Sequence, residues 1–103
     1  MEKRKPTYDL DTVRDWAATS QFSATGSALR TAVGLGFGSS EMAAVIQTMR
    51  RDQFYKSMTS YNDHTEWQDV YYVPSSLGVL YVKFRSDAVT EFMLLSFKVK
   101  DDD

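Results

Sequence analysis

The sequence predicts an α+β fold in which an antiparallel β-sheet meander in the C-terminal half packs against N-terminal helices. Three observations carry that prediction. Up to about residue 50 the apolar residues recur at helical spacing, and from Trp67 onward they alternate with a period of two. The segments joining the alternating runs are too short for parallel crossovers, which need roughly a dozen residues. With 103 residues, 43% of them hydrophobic, the chain is expected to form one domain over 1–103, with neither repeats nor linkers.

Taken in order, Asp9 or Asp11 caps a first helix whose Leu10, Val13, Trp16 and Ala17 fall near helical spacing, running to about Gln21. Phe22 to Thr25 is short and ambiguous, a small strand at most. Ser27 opens a second helix carrying Leu29, Ala32 and Val33, which the glycine-rich GLGFG of 34–38 stops. The third helix is capped by Ser39 or Ser40, and its Met42, Val45, Ile46 and Met49 form one buried stripe. Arg50 and Arg51 follow at its C-terminal end, where cations suit the helix dipole. RDQFYKSM (51–58) reads as one more helical turn and SYNDHT (60–65) as a loop.

Three strands come next, WQDVYYV (67–73), GVLYVKFRS (78–86) and FMLLSFKVK (92–100), rich in aromatic and β-branched residues. Because side chains alternate across a strand, each run divides into two faces. Leu80, Val82 and Phe84 oppose Tyr81, Lys83 and Arg85. Met93, Leu95, Phe97 and Val99 oppose Phe92, Leu94, Ser96, Lys98 and Lys100. In the first strand the parity is less decisive, with Gln68 and Tyr72 on one side and Tyr71 and Val73 on the other. If the apolar faces meet the helices, Tyr81, Lys83, Arg85, Lys98 and Lys100 line one open surface, with Gln68 a candidate neighbour.

A wet sheet face ordinarily contains Lys, Arg, Gln and Tyr, so exposure alone explains this composition. The clustering of cations without an acid among them, in a chain of net charge −2, argues for more. Three of the acids are the terminal Asp101, Asp102 and Asp103, a solvated tail; residues 1–100 carry 12 basic against 11 acidic residues. Cations that track phosphates, with rings that stack on bases, are the footprint of single-stranded nucleic acid or of an acidic partner.

Other chemistries are excluded more firmly. His64 is the only histidine and cysteine is absent, which leaves no His-pair metal site, no Cys site and no Ser/His/Asp arrangement with a spare imidazole. Asp63 and Glu66 read as solvated loop acids, and GLGFGS lacks the strand and third glycine of a dinucleotide site. Tyr55, Tyr61 and Trp67 read first as packing residues. No apolar run approaches the roughly 20 residues that cross a bilayer. Together with the missing cysteines this favours a cytoplasmic protein.

The stretch FYKSMTSYNDHTEWQDVY (54–71), with LYVKF (80–84) and LLSFKVK (94–100), resembles the MqsR family of mRNA interferase toxins, and MEKRKP at the start fits the same pattern. The resemblance implies a fold like the RelE and YoeB toxins and a toxin of a type II toxin–antitoxin system. It implies an endoribonuclease that cuts single-stranded mRNA at short GC-containing sites independently of the ribosome, stopping translation and growth. It assigns catalysis to Lys56, Gln68, Tyr81 and Lys98, and adds Met58, His64 and Trp67 as lining residues. With Tyr55, Lys83, Arg85 and Lys100 these complete the expected RNA-binding surface. The implied partner is an antitoxin of the MqsA type, which brings its own zinc-binding and DNA-binding domains. The toxin itself is expected to use no metal or other cofactor and not to bind DNA. The DAVTE connection and the acidic tail depart from the family pattern.

RNA cleavage without a metal needs a base for the 2′-hydroxyl, donors for the charged phosphorane and an acid for the 5′-oxygen. Lys56 and Lys98 are expected to stabilise charge, Gln68 to orient the phosphate or the 2′-hydroxyl, and one lysine or Tyr81 to move the proton. Neighbouring cations are expected to lower the lysine and tyrosine pKa values. The rival readings are a non-catalytic RNA- or protein-binding module on the same face, and a structural subunit whose open face another chain buries.

Overall fold

Why the chain turns back on itself after residue 50 is clearest from hydrogen-bond demand along the sheet. In the computed structural model, which describes residues 1–101, α1 (Leu10–Ala17), α2 (Gly26–Gly34) and α3 (Ser39–Gln47) precede most of a five-stranded sheet. Its strands are β1 (Glu2–Lys3), β2 (Phe54–Thr59), β3 (Trp67–Ser75), β4 (Gly78–Asp87) and β5 (Glu91–Val99). They lie in the order β1-β2-β3-β4-β5, each antiparallel to its neighbours. The expected meander is therefore present, extended by two strands. Asp102 and Asp103 of the acidic tail lie outside the described residues.

The segment 51–58 corrects the helical reading. Only Arg51–Gln53 makes a 3-10 turn, and Phe54 onward is strand. Without β2 the backbone groups along one side of β3 would lack partners, and pairing Phe54 to Thr59 against Trp67 to Tyr71 satisfies them. Phe54 also stacks edge-on to Tyr71 at 5.5 Å, so the strand contributes to the core. Tertiary pairing here outweighs a local pattern that fits a helix equally well.

Helix boundaries follow their caps. Asp9 accepts the Thr12 N–H at 3.0 Å to start α1, and Thr25 accepts the Ala28 N–H at 3.2 Å to start α2. The first helix stops at Ala17 rather than Gln21, because the Ala18 and Thr19 amides bond three residues back to Asp15 and Trp16 and tighten the last turn. Gly38, not a serine, is the N-cap of α3, and its N–H is met by the Glu41 carboxylate. Met49 lies just past the end of α3 yet is fully buried. Of the ambiguous segment before α2, Ala24 alone makes a bridge, parallel to Leu94.

The helices cover one face of the sheet, with α2 against β5 and α1 against α3. Trp16, Met42 and Ile46 meet Tyr71, Leu80, Val82, Phe84, Leu94 and Phe97 in a continuous buried core. Strand β5 departs from simple alternation. Lys83 faces Ser96 while Phe84 faces Leu94, so Leu95 is an extra residue, a β-bulge. One inserted residue exchanges the faces. Phe92 and Leu94 are therefore core residues, and Met93 and Leu95, expected there, are only half-buried. Past the bulge the expected parity holds, with Phe97 inward and Lys98 exposed.

Candidate active site

The uncovered face of the sheet is built from three cross-strand rows. In the first, Tyr72 pairs with Tyr81 and Tyr81 with Lys98. In the second, Lys56 pairs with Val70, Val70 with Lys83 and Lys83 with Ser96. In the third, Met58 pairs with Gln68, Gln68 with Arg85 and Arg85 with Met93. Successive rows stand two residues apart, about 7 Å, and neighbouring strands about 5 Å apart, so the first two rows span little more than one nucleotide. Val70 is fully buried outside the main core cluster, beneath the side chains of this face. A second irregularity, between Phe54 and Lys56, lets Tyr55 and Lys56 both project onto it.

The rings form a ladder. Tyr55 stacks on Tyr72 with centroids 4.4 Å apart and planes 17° from parallel, and Tyr72 meets Tyr81 at 6.2 Å and 47°. Cations accompany every ring. Lys56 and Arg4 each lie 5.3 Å from the Tyr55 centroid, Lys100 lies 5.3 Å from that of Tyr72, and Lys98 lies 5.2 Å from that of Tyr81.

Acids reach the same face, which corrects the expectation of an acid-free patch. Glu2 on β1 holds the Lys56 ammonium at 2.8 Å. Glu66 accepts the Gln68 side-chain amide at 2.7 Å and lies 3.6 Å from Arg85, which also pairs with Asp87 at 3.0 Å. Glu66 is therefore not a free loop acid, whereas Asp63 serves its own turn by accepting Thr65. Buried Asp69, on the opposite face, anchors the N-terminal segment by accepting the Thr7 and Tyr8 amides at 2.9–3.1 Å. Glu2 is placed opposite Met58 by the β1–β2 pairing, and Arg4 donates to the Tyr55 carbonyl at 3.2 Å.

Protonation follows these contacts. The Glu2 carboxylate holds Lys56 above the ordinary lysine pKa, against a smaller opposing effect of burial. Burial raises Tyr81, and the Lys56 charge only partly offsets it. Burial and then Tyr55 push Tyr72 up to about 12. Lys83 moves the other way, lowered first by burial and then by Lys98. The expected mutual lowering of lysines and tyrosines thus occurs at Lys83 and is reversed at Lys56 and Tyr81.

Of the residues expected at the site, Lys56, Gln68, Tyr81 and Lys98 share this face with Tyr55, Met58, Lys83, Arg85 and Lys100. His64 is exposed at its margin, where it lines a shallow concavity with Met58, Ser60 and Tyr61. Trp67 is the exception. It alternates with Gln68 onto the other side of the sheet, where the Lys3 ammonium lies 4.2 Å from its ring. Sequence reasoning missed Tyr72, Arg4, Glu2 and Glu66. Parity had already put Tyr72 beside Gln68, but no local pattern marks the other three as site neighbours.

Helices under one face of an antiparallel sheet, with lysines and tyrosines gathered on the other, define a small α+β protein with a cationic, aromatic sheet face. The family model described as motility quorum-sensing regulator, toxin of MqsA, matches residues 5–99, and the chain belongs to that toxin family. It is 40% identical over 100 residues to the mRNA interferase toxin MqsR of Escherichia coli (strain K12), covering 97% of this chain and 100% of the relative. Membership implies an antitoxin partner and an RNA substrate. No helix among the described residues is long and apolar enough to cross a membrane.

Proposed function

We propose that the open sheet face is the active surface of an endoribonuclease, the toxin of a toxin–antitoxin pair, which cuts single-stranded mRNA by turning a ribose 2′-oxygen on its own phosphodiester. The observation that carries this reading is the pairing of Tyr81 with Lys98 one row from Lys56 and Lys83, within reach of a single nucleotide. Lys56, kept charged by Glu2, and Lys98 stabilise the phosphorane. Tyr81, kept protonated by burial, is suited to deliver a proton to the leaving 5′-oxygen. Lys83, whose ammonium is the one destabilised here, is best placed to take the 2′-hydroxyl proton. Gln68 is buried with its amide donating to Glu66, so for it to orient the phosphate or the 2′-hydroxyl that bond has to open on binding.

The protein acts in the cytoplasm on short GC-containing sites without the ribosome, and its antitoxin is of the MqsA type, a zinc-binding and DNA-binding chain. Purified toxin and labelled RNA provide the test. Cut strands should end in a 2′,3′-cyclic phosphate, a 2′-deoxy sugar at the cut should bind yet survive, and EDTA should have no effect. Cleavage of the deoxy substrate, or its loss on chelation, would overturn the mechanism. Binding without any cut strands would make the face a docking surface instead. Zinc measured after separating a toxin–antitoxin complex should remain with the antitoxin.

A further inference from the structure

The three tyrosines are unevenly spaced, and the unevenness has a chemical meaning. Tyr55 and Tyr72 are closed on each other at 4.4 Å. Tyr72 and Tyr81 are 6.2 Å apart and tilted by 47°, so they form an open wedge. A planar group between two rings needs about 3.5 Å on each side, roughly 7 Å in all. Levelling the tilt and widening the wedge by under about 1 Å would admit one aromatic plane.

We infer that this wedge is a slot for a single unpaired nucleobase of the RNA, with Tyr72, backed by Tyr55, as one wall and Tyr81 as the other. The inference rests on the proposed RNA-cleaving function and adds a binding residue, Tyr72, and a ligand class to it. Two cations flank the slot: Lys98 at 5.2 Å from the Tyr81 ring and Lys100 at 5.3 Å from the Tyr72 ring. Lys100 is borne just beyond β5, its backbone N–H bonding to Val79. Its ammonium also lies 3.4 Å from the Asp101 carbonyl, an exposed contact that a flanking phosphate can replace. Tyr81 pairs directly with Lys98, and the neighbouring row carries Lys56 and Lys83, so the slot lies next to the groups assigned to the cut. Only a base free of its Watson–Crick partner and stacking neighbours can enter, which gives the surface a physical reason to require single-stranded RNA.

An alternative is that the ladder only packs the sheet face. A non-cleavable substrate oligonucleotide, 2′-deoxy at the cut, separates the two. With wild-type protein, 2-aminopurine moved along the strand should be quenched on binding at one position next to the cut. An abasic sugar at that position should weaken binding at least about fivefold, the lower end of what one base–ring stack contributes. Tyr72→Ala should weaken the intact oligonucleotide equally but cost nothing further on the abasic one, while Tyr72→Phe should restore the coupling. Additive losses at every position, or no quenched position in the wild type, would overturn the slot. The wild-type scan needs no variant to fold, and circular dichroism checks the variants. All-ribose RNA run in parallel keeps the two proposals apart. Uncut RNA with intact coupling sinks the enzyme reading alone, and cut RNA without coupling sinks the slot alone.

Discussion

The two ends of the open sheet face carry similar side chains and differ in how those side chains are answered. At one end Tyr81, Lys98, Lys83 and Lys100 stand without carboxylate partners among the described residues, and only Lys56 is paired, with Glu2. At the other, Arg85 is shared between Glu66 and Asp87, and the Gln68 amide is taken by Glu66. The difference teaches that a cation counted on a strand face is not yet a cation offered to a phosphate. Three acids, brought from the N-terminal strand, a loop and the end of β4, decide which ones are.

The contrast can be broken most sharply by Lys98→Ala or Tyr81→Phe, each expected to lower kcat/KM for an RNA oligonucleotide by about 10²- to 10⁴-fold with the melting temperature nearly unchanged. Arg85→Ala, at the answered end, should change it by no more than about fivefold, the range of a partly exposed ion pair. Equal losses at the two ends would erase the distinction. Next in size is the pH profile. If Lys83 is the base, activity climbs as pH rises through its lowered pKa, so the midpoint of the rising limb lies below the ordinary lysine value of 10.5. Lys83→Arg, which stays protonated, should abolish that rising limb.

Smaller in effect is Glu2→Gln, which frees Lys56. RNA affinity should increase, and its salt dependence should steepen by about 0.7 in log–log slope, one more phosphate contact to a single strand. The pair also has a stability signature. Glu2 has a depressed pKa, chiefly from its bond to Lys56, so its contribution is present above the ordinary 4.5 and lost as pH falls below it. Thermal melts from pH 7 to 3 should show that loss in the wild type and less of it in Glu2→Gln. The smallest expected effect lies outside the face. Glu91, the first residue of β5, has φ 73°, a left-handed conformation. Glu91→Gly should raise stability by up to about 1 kcal/mol, a few degrees in melting temperature, without altering cleavage.

Much of the fold was legible from periodicity. The three long strands and the inward set of Leu80, Val82 and Phe84 follow from alternation, and their antiparallel order from the short connections. Two segments were not, for different reasons. Phe54 to Thr59 has no decisive local preference, and the free edge of β3 determines its state. In β5, a single bulge residue, Leu95, reverses the parity of Phe92 to Leu94, and no turn or glycine announces it. The site divides similarly. Tyr81 and Lys98 were readable as a shared face, while Lys56 was placed by family resemblance because its strand was not recognised. Glu2, Arg4 and Glu66 reach the site through long-range pairing that a one-dimensional pattern does not encode. Trp67 lies inside the 54–71 stretch that carries the family resemblance yet faces away from the proposed site, because neighbours along a strand point to opposite sides.

The Glu2–Lys56 bond joins residues 54 positions apart, and Lys98 enters the same surface from the last strand. During synthesis, then, no partial chain holds the proposed active surface. Residues 2 to 4 wait for β2, the pair waits for β4, and the set closes only when β5 has docked with its bulge in place. Prematurely ended copies lacking those last strands would be inert, so a cell making a dangerous enzyme by this plan is spared from its unfinished products.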